Sequence, residues 1–476
     1  MRQDHGHGSE ELAALDAVAT TAAIRRGEIS PVEAVEHALA RIEELDGPIN
    51  AFTVTLAAEA REQARAAERA VRSGDPVGPL HGVPVAVKDH IWMKGAPATN
   101  GSYAYRDFVP DVDAVPVARL RAAGAVIVGK TNNPEFCYRG YTDNRLWGLT
   151  RNPWNLDRTP GGSSGGSGAA VAAGMVPAAL GTDGGGSVRI PASFCGIVGH
   201  KPTFGLIPKE PGFMGWKTLS VDGPMTRTVR DSALLLDVMA GTDPADDMSY
   251  PGPAVEYLAA AEAADISGLR VAYSTDLGWA PVEPDVRAAF TAAVERFAAT
   301  GCELVEAHPD APDPTELWTF LAVCEGYASE GPLLERWERE MTAGVPELIR
   351  AGADKSAGDY VRAMHERAGF TRVWDAFFDE FDLLLTPMMQ ITAFEHGIEG
   401  PAEIDGRPVN PFFDDWCNLC YPANLAHQPA ISVPCGFGAD GLPVGLQITG
   451  RRFDDARVLA AAAAWERVAP WPLAAT

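Results

Sequence analysis

The sequence predicts an α/β protein in which a central mixed β-sheet is covered by helices on both faces, with a helical insert in the second half of the chain. Short β-rich apolar runs alternate with segments of helical periodicity, which is typical of a sheet covered by helices. The stretch between Pro314 and Asp382 is mostly helical. No internal repeat and no long linker interrupts the 476 residues, so the pattern favours one large unit over several separate domains.

The sequence pattern of residues 1–75 predicts an N-terminal helical segment that packs on the core. Ser30 is a good N-cap residue, Pro31 fits the first helical position and Glu33 completes a capping box, so a helix should begin here. Residues 56–73 repeat the helical pattern with alanine and charged residues.

Five short apolar runs predict strands of the central sheet. They lie at residues 83–87, 125–129, 269–273, 302–305 and 381–385. Two further runs, 430–437 and 443–449, are separated by the turn-forming residues 438–441 and predict a β-hairpin. A last helix is expected over residues 455–468.

These elements predict an N-terminal helical segment and one α/β core that is interrupted by an insert. The expected bounds are 1–75 for the helical segment, 76–313 for the first part of the core, 314–380 for an insert on the substrate side, and 381–476 for the rest of the core. The insert carries several aromatic residues, and most of them should pack in the core because buried rings usually do.

The charge balance excludes one class of function. The chain has 64 acidic and 39 basic side chains and a net charge of −25 at pH 7, which argues against a nucleic-acid-binding groove. No apolar run approaches the ~20 residues of a membrane span. Met1–Glu11 is polar and carries no readable secretory signal. We therefore expect a cytoplasmic protein that binds neither nucleic acid nor membrane.

The chain has seven cysteines, which is an odd number and a low density for 476 residues. A small secreted module with a disulfide framework would have more closely spaced, paired cysteines. We expect reduced thiols. Cys417 and Cys420 form an isolated Cys-x-x-Cys pair, and a zinc site would need a second ligand pair at recognisable spacing. The sequence therefore predicts neither a metal nor another cofactor.

A glycine- and serine-rich segment, residues 158–168, leads directly into an alanine-rich helical segment. A flexible linker would lie between domains, which this segment does not. A nucleotide-binding loop would end in Gly-Lys-Ser/Thr or carry the G-x-G-x-x-G spacing, and this segment has neither. The pattern Gly161-x-Ser163-x-Gly165 matches the nucleophile elbow of α/β-hydrolases, so Ser163 acting with a later histidine stays an alternative.

A second serine, Ser187, directly follows Gly184, Gly185 and Gly186. Consecutive glycines allow backbone N–H groups to converge on one point, which a developing oxyanion requires. Lys88 ends one of the predicted strands. The sequence therefore offers two serine-bearing loops and a lysine that could act as a base.

Together these motifs resemble the amidase signature family. The resemblance covers nearly the whole chain and is densest between residues 80 and 240. Its matching segments are 83–89, 151–154, 161–167, 181–196, 201–203, 430–436 and 441–447. It implies the amidase-signature fold and hydrolysis of an amide bond without a cofactor.

The family uses a Ser–cis-Ser–Lys triad, and the matching positions are Ser187 as nucleophile, Ser163 as bridging serine and Lys88 as base. By the same resemblance, the N–H groups of Gly184, Gly185 and Gly186 form the oxyanion hole. Lysine acts as a base only when it is neutral. To be neutral near pH 7, the lysine must have a pKa roughly 3 units below its ordinary value of about 10.4.

Other charged residues near these motifs have competing interpretations. Lys130 and Lys201 also stand at motif positions, and only the family pattern selects Lys88 over them. Asp183 and Arg189 flank the nucleophile loop and are expected to form an ion pair that holds it.

One departure from the family bears on the substrate. In the glutaminase subunit of tRNA-dependent amidotransferases, an aspartate that binds the glutamine amino group lies seven residues before the Asn-Leu-Ala asparagine. Asn424 is that asparagine here, so the position is Cys417, which cannot pair with an ammonium. We expect a free-standing amidase for a neutral, apolar or aromatic small-molecule amide, with aryl amides, anilides and carbamates (urethanes) as candidates.

The wall of the substrate pocket is expected in two places, the helical insert and the loop that carries Phe136, Tyr138 and Tyr141. Two alternatives to the amidase stay open, a glutaminase-type amidotransferase subunit and an α/β-hydrolase-type esterase that uses Ser163 and a histidine. A homodimer is a further expectation, because dimers are the commonest oligomers.

Overall fold

The computed structural model describes residues 9–413 and 415–472, and the expectation about the polar N-terminus falls mainly on residues 1–8, outside them. The helices are α1 (Ser9–Ala14), α2 (Ala17–Arg26), α3 (Pro31–Ile49), α4 (Ala57–Ser73), α5 (Val115–Ala122), α6 (Gly165–Ala172), α7 (Arg189–Cys195), α8 (Val229–Met239), α9 (Tyr257–Ala263), α10 (Pro284–Phe297), α11 (Thr315–Glu330), α12 (Leu334–Trp337), α13 (Val345–Arg350), α14 (Ala357–Glu380), α15 (Tyr421–Leu425) and α16 (Asp455–Val468). The strands are β1 (Phe52–Thr55), β2 (Pro84–Lys88), β3 (Val126–Thr131), β4 (Ala178–Asp183), β5 (Val198–Lys201), β6 (Val221–Thr226), β7 (Arg270–Tyr273), β8 (Glu303–Glu306), β9 (Leu383–Pro387), β10 (Glu403–Ile404), β11 (Arg407–Pro408), β12 (Ala430–Phe437) and β13 (Pro443–Gly450).

Within the described residues, eleven strands form one sheet in the order β1-β3-β2-β4-β6-β5-β12-β13-β9-β7-β8. The pairs β2–β3, β2–β4, β7–β8 and β7–β9 are parallel, whereas β4–β6, β5–β6 and β12–β13 are antiparallel. The sheet is therefore mixed, as predicted, and β12 and β13 form the predicted hairpin.

Alternating side chains of the strands enter different apolar clusters, as the pleat of a strand requires. Val85 and Val87 join a cluster with α8, α9 and α16, whereas Ala86 joins a cluster with α3 and α6. Leu383 and Leu385 likewise belong to the first cluster, and Leu384 joins a third that contains α11 and α14. Helices thus cover both faces, which confirms the predicted fold class.

The N-terminal segment contains a strand that the sequence did not predict. The capping box at Ser30 is present, with its side chain bonded to the N–H of Glu33, and it begins α3. The short run Phe52–Thr55, between α3 and α4, pairs antiparallel with β3 at the edge of the sheet. Four residues between two long helical patterns are too few to show a strand periodicity, so only the pairing with β3 reveals it.

The stretch between β8 and β9 is helical, as predicted, and contains α11 to α14. None of the helices in the described part of the chain is long and apolar enough to cross a membrane. The seven cysteines all lie in that part of the chain, and none of them forms a disulfide there.

Candidate active site

The candidate site lies at one edge of the sheet, where β2 and β4 end. These strands are parallel neighbours, so their carboxyl ends lie at the same edge. Lys88 is the last residue of β2, and the loop that carries Ser187 follows β4 and leads into α7. The loop that carries Ser163 leads into α6.

The Lys88 side chain reaches the first serine loop. Its Nζ lies 2.6 Å from Ser163 Oγ and 2.7 Å from Thr182 Oγ1, and the residue is fully buried. A neutral amine has two N–H groups and one lone pair, so it can donate to Thr182 and accept the proton of the Ser163 hydroxyl. The geometry thus suits a lysine that acts as a base toward Ser163.

The other two candidate lysines have different partners. Lys130 Nζ donates to the backbone carbonyls of Asp89 and Ile91, and Lys201 Nζ donates to the carbonyl of Pro202. Burial lowers the pKa of Lys130 to about 8 and that of Lys201 to about 7. The pKa of Lys88 is lowered as well, so a lowered pKa does not distinguish the three lysines. Contact with a serine of the loop does distinguish Lys88 from the other two.

The pKa of Lys88 is lowered, first of all by burial, because the low-dielectric interior disfavours the ammonium. The neighbouring Cys137 thiol and the carboxylates of Asp222 and Asp183 oppose this effect and raise the pKa of Lys88. Burial therefore favours the neutral amine that a base requires. The carboxylates of Asp222 and Asp183 favour the ammonium that forms when Lys88 accepts a proton.

The two serine loops are joined through their backbones. The N–H of Ser164 donates to the carbonyl oxygen of Ser187 over 3.1 Å, and the Gly162–Ser163 peptide bond is cis, as the resemblance predicts. Ser164 Oγ donates to the carbonyl of Thr182 and accepts its N–H, at 3.2 Å in each case. The backbone of Ser187 is thus held against the loop whose Ser163 contacts Lys88.

The three predicted oxyanion donors, Gly184, Gly185 and Gly186, differ in their hydrogen bonds, and Gly186 has a partner within the loop. Its N–H donates to Asp183 Oδ1 over 2.8 Å, so it is occupied within the loop. Gly186 has a φ of 108°, and a Cβ there would lie 2.7 Å from Cys420 Sγ, which explains why the position requires glycine. Among the described residues, the N–H groups of Gly184, Gly185 and Ser187 have no acceptor. The Ser187 N–H is a candidate donor that the sequence did not suggest.

The predicted ion pair between Asp183 and Arg189 is confirmed. Arg189 Nε and one terminal nitrogen lie 2.9 Å from the two carboxylate oxygens, and both side chains are fully buried. The guanidinium also donates to Asn424 and Gln447, each over 2.6 Å. Because the Asp183 carboxylate also accepts the N–H of Gly186, the pair fixes the shape of the loop before Ser187.

Two indole rings pack against the glycines of the nucleophile loop. A Cβ on Gly185 would lie 2.4 Å from the ring of Trp318, and one on Gly184 would lie 2.6 Å from the ring of Trp216. Trp318 Nε1 also donates to the carbonyl of Gly184 over 3.0 Å. Because Trp318 belongs to α11, the helical insert contacts the loop directly.

The three predicted pocket residues have different surroundings. Phe136 is buried in a cluster with Met341 and other residues of the insert. Tyr138 Oη donates to the Glu330 carboxylate over 2.5 Å, and its ring lies 5.6 Å from that of Trp216.

The backbone of this loop continues along the first serine loop. The carbonyl oxygen of Tyr141 would lie 2.7 Å from a Cβ on Gly162, so the two chains are in close contact. The Tyr141 ring packs edge-on to Phe394 at 6.2 Å. The loop is thus adjacent to the candidate site, and its place in a pocket wall remains a prediction.

Sequence reasoning missed three residues at the site, namely Thr182, Cys137 and Glu330. Thr182 stands in the Gly-Thr-Asp motif directly before the three glycines, and this motif was the available sequence signal. Burial raises the pKa of the Cys137 thiol, whereas Lys88 and a hydrogen bond with Ser163 lower it. Burial raises the pKa of Glu330 to about 7. Neither Cys137 nor Glu330 had a recognisable motif.

The geometry does not support a hydrolase-type serine–histidine pair at Ser163. Its Oγ is paired with Lys88, and in the described part of the chain no histidine nitrogen hydrogen-bonds to it. His427 instead interacts with Arg367 and with the carbonyl of Thr218.

Comparison with known proteins identifies relatives over nearly the whole chain. The amidase family model matches residues 33–459. The chain is 40% identical to an acylamidase of Rhodococcus erythropolis over 96% of both sequences. It is also 40% identical to a glutamyl-tRNA(Gln) amidotransferase subunit of Chloroflexus aggregans, over 97% of this chain and 98% of that protein.

Several solved structures of related proteins have the same fold over nearly the whole chain. A bacterial aryl acylamidase of the amidase signature enzymes is 33% identical, with a TM-score of 0.90 over 96% of each chain. A 6-aminohexanoate cyclic dimer hydrolase is 32% identical, with a TM-score of 0.87 over 97% of this chain and 98% of the other. A glutamyl-tRNA(Gln) amidotransferase subunit from Thermotoga maritima is 31% identical, with a TM-score of 0.78 over 99% of this chain and 97% of the other.

Proposed function

Because the chain belongs to the amidase family, we propose that it hydrolyses the C–N bond of a neutral amide with an apolar or aromatic group, through an acyl-enzyme on Ser187. The observation that carries the proposed chemistry is the 2.6 Å contact between Lys88 Nζ and Ser163 Oγ. In this contact, the Ser163 hydroxyl is already paired with a buried amine that can accept its proton.

In the proposed mechanism, Ser187 Oγ attacks the amide carbon while its proton moves to Ser163 Oγ, and the Ser163 proton moves to Lys88 Nζ. The tetrahedral intermediate then collapses, and the Lys88 proton returns through Ser163 to the leaving nitrogen. Water hydrolyses the acyl-enzyme by the same proton path in the next half-reaction. A weak hydroxyl nucleophile requires such a base, because its proton must leave as the C–O bond forms.

We assign the oxyanion hole to the N–H groups of Gly184, Gly185 and Ser187. These donors have no acceptor among the described residues, whereas that of Gly186 is held by Asp183. Loss of one such donor typically costs about 3 kcal/mol of transition-state stabilisation.

The proposed preference for an apolar or aromatic group is supported by the rings near the nucleophile loop. Trp216 lies 5.3 Å from Trp318 and 5.6 Å from Tyr138, between centroids. Such rings provide apolar contact area with few rotatable bonds. The insert, residues 314–380, would form this side of the pocket.

A second candidate function is that of a glutaminase-type amidotransferase subunit, which the 40% identity to such a protein favours. Against it, Cys417 is buried, and a thiol there provides no carboxylate for a substrate ammonium. We therefore rank the free-standing amidase first.

A substrate panel tests this choice. We expect kcat/KM for an anilide of an aromatic acid to exceed that for L-glutamine by roughly 100-fold or more, because a charged ammonium would be buried without a partner. The corresponding primary amide, phenyl carbamate and ester, measured under the same conditions, define the leaving-group preference. Equal or faster turnover of glutamine would overturn the proposed substrate class.

A further inference from the structure

A small polar cavity lies beside the Lys88 end of β2. It measures about 30 Å³, which is enough for one water molecule, and it lies between the loop after β2, the segment before β6 and β6 itself. His90, Lys209, Trp216, Ser220 and Asp222 line it. None of these residues takes part in the proton transfers of the proposed mechanism.

The sheet register places Asp222 next to a partner of Lys88. In the antiparallel pair β4–β6, Asp222 lies directly opposite Thr182. Residues opposite each other in such a pair have their side chains on the same face of the sheet. Since Lys88 Nζ contacts Thr182 Oγ1, the Asp222 carboxyl and the Lys88 amine lie on the same face, on either side of Thr182.

The Asp222 side chain is buried, and it has no direct hydrogen-bond partner in the described part of the chain. It is 4% exposed, and among the residues the structure describes none donates a hydrogen bond to its carboxylate. Burial of an unpaired carboxylate is costly unless cations lie nearby. Asp222 lines the cavity, which has room for one water molecule as a hydrogen-bond partner.

Four charged or titratable groups face Asp222. Burial raises the pKa of Asp222 to about 7, whereas His90, Lys209 and Lys88 lower it and Asp246 raises it. His90, whose own pKa is lowered to about 4 by burial, is neutral near pH 7.

Lys209 is held in place by the backbone around the cavity. It donates to the carbonyls of Trp216, Lys217 and Ser220, each over 3.2 Å. Its ammonium is therefore shared among three carbonyl oxygens and makes no direct bond to Asp222. This leaves Lys88 as the cation whose charge changes during the proposed reaction.

We propose that Asp222 is a positioning residue for Lys88, whose carboxylate stabilises the ammonium that Lys88 becomes when it accepts the serine proton. The inference rests on the proposed function, since it requires Lys88 to be the base. The carboxylate acts through space, and it touches neither the substrate nor the reacting serine. The proton remains on Lys88 until it returns to the leaving nitrogen.

Asp222→Asn tests this role through the pH dependence of Ser187 labelling by a fluorophosphonate. Removing the negative charge should lower the pKa of Lys88, so the acidic limb of the labelling rate should move to lower pH by about one unit. The plateau rate should fall by roughly tenfold, since a less basic lysine accepts the proton less readily. Asp222→Glu, which keeps a carboxylate, should restore much of the plateau rate.

Asp247→Asn is the matched control, because it removes the same charge from a side chain that is 85% exposed. Its profile should coincide with that of the unaltered protein. An acidic limb that stays in place in Asp222→Asn, with Ser187 still labelled, overturns this inference and leaves the proposed function intact. Absence of Ser187 labelling in the unaltered protein overturns both.

Discussion

Replacement of the proposed nucleophile, Ser187→Ala, should lower kcat for the best amide substrate by at least about 10⁴-fold. The acyl-enzyme cannot form without the hydroxyl, and only oxyanion stabilisation and substrate binding remain. Ser187 is 7% exposed, and alanine removes a single oxygen, so the fold should be unchanged. The measurement is product release over several hours, with circular dichroism as the test of folding.

Ser193→Ala provides the matched control for this variant. Ser193 lies on α7, just after the nucleophile loop, and its Oγ accepts the N–H of Gly445 over 3.0 Å. Its loss should reduce stability slightly and leave kcat within about threefold, because neutral hydrogen bonds contribute about 1 kcal/mol. Retention of more than a hundredth of the activity in Ser187→Ala would contradict the assignment of the nucleophile.

Lys88→Met should lower kcat/KM by about 10³-fold at pH 8. Methionine fills nearly the same buried volume but cannot accept the proton of Ser163, so the general-base contribution is lost. In the unaltered protein, kcat/KM should fall as the pH drops through the lowered pKa of Lys88, because protonation removes the base. In Lys88→Met, this fall of kcat/KM toward low pH should be absent.

Lys201→Met is the control for burial and charge. Lys201 is another fully buried lysine with a lowered pKa, but its Nζ donates to a backbone carbonyl. Lys201→Met should keep kcat/KM within about tenfold. Equal losses in Lys88→Met and Lys201→Met would indicate a general effect of removing a buried lysine, and would contradict a specific role for Lys88.

Much of the fold could be predicted because its signals are local. The capping box at Ser30, the turn between β12 and β13, and the apolar run before Lys88 each appear in a few consecutive residues. The strand Phe52–Thr55 could not be predicted in this way, because four residues show little periodicity and their partner β3 lies more than 70 residues away.

The candidate site was predicted where residues share a motif and missed where the tertiary fold joins them. Ser163 and Ser187 stand in glycine-rich loops that are visible in the sequence. Asp222 carries no motif, and only the register with Thr182 places it on the same face of the sheet as Lys88. The hydrogen bond from Gly186 to Asp183 likewise depends on the loop conformation, which the glycine pattern does not specify.

The central claim is that Ser187 is the nucleophile and that Lys88 activates it through Ser163. The most direct measurement is reaction of the unaltered protein with a fluorophosphonate, followed by peptide mapping of the adduct. We predict a single adduct on Ser187, formed at a rate that falls sharply in Lys88→Met. An adduct on Ser163, or no adduct at all, would contradict the claim.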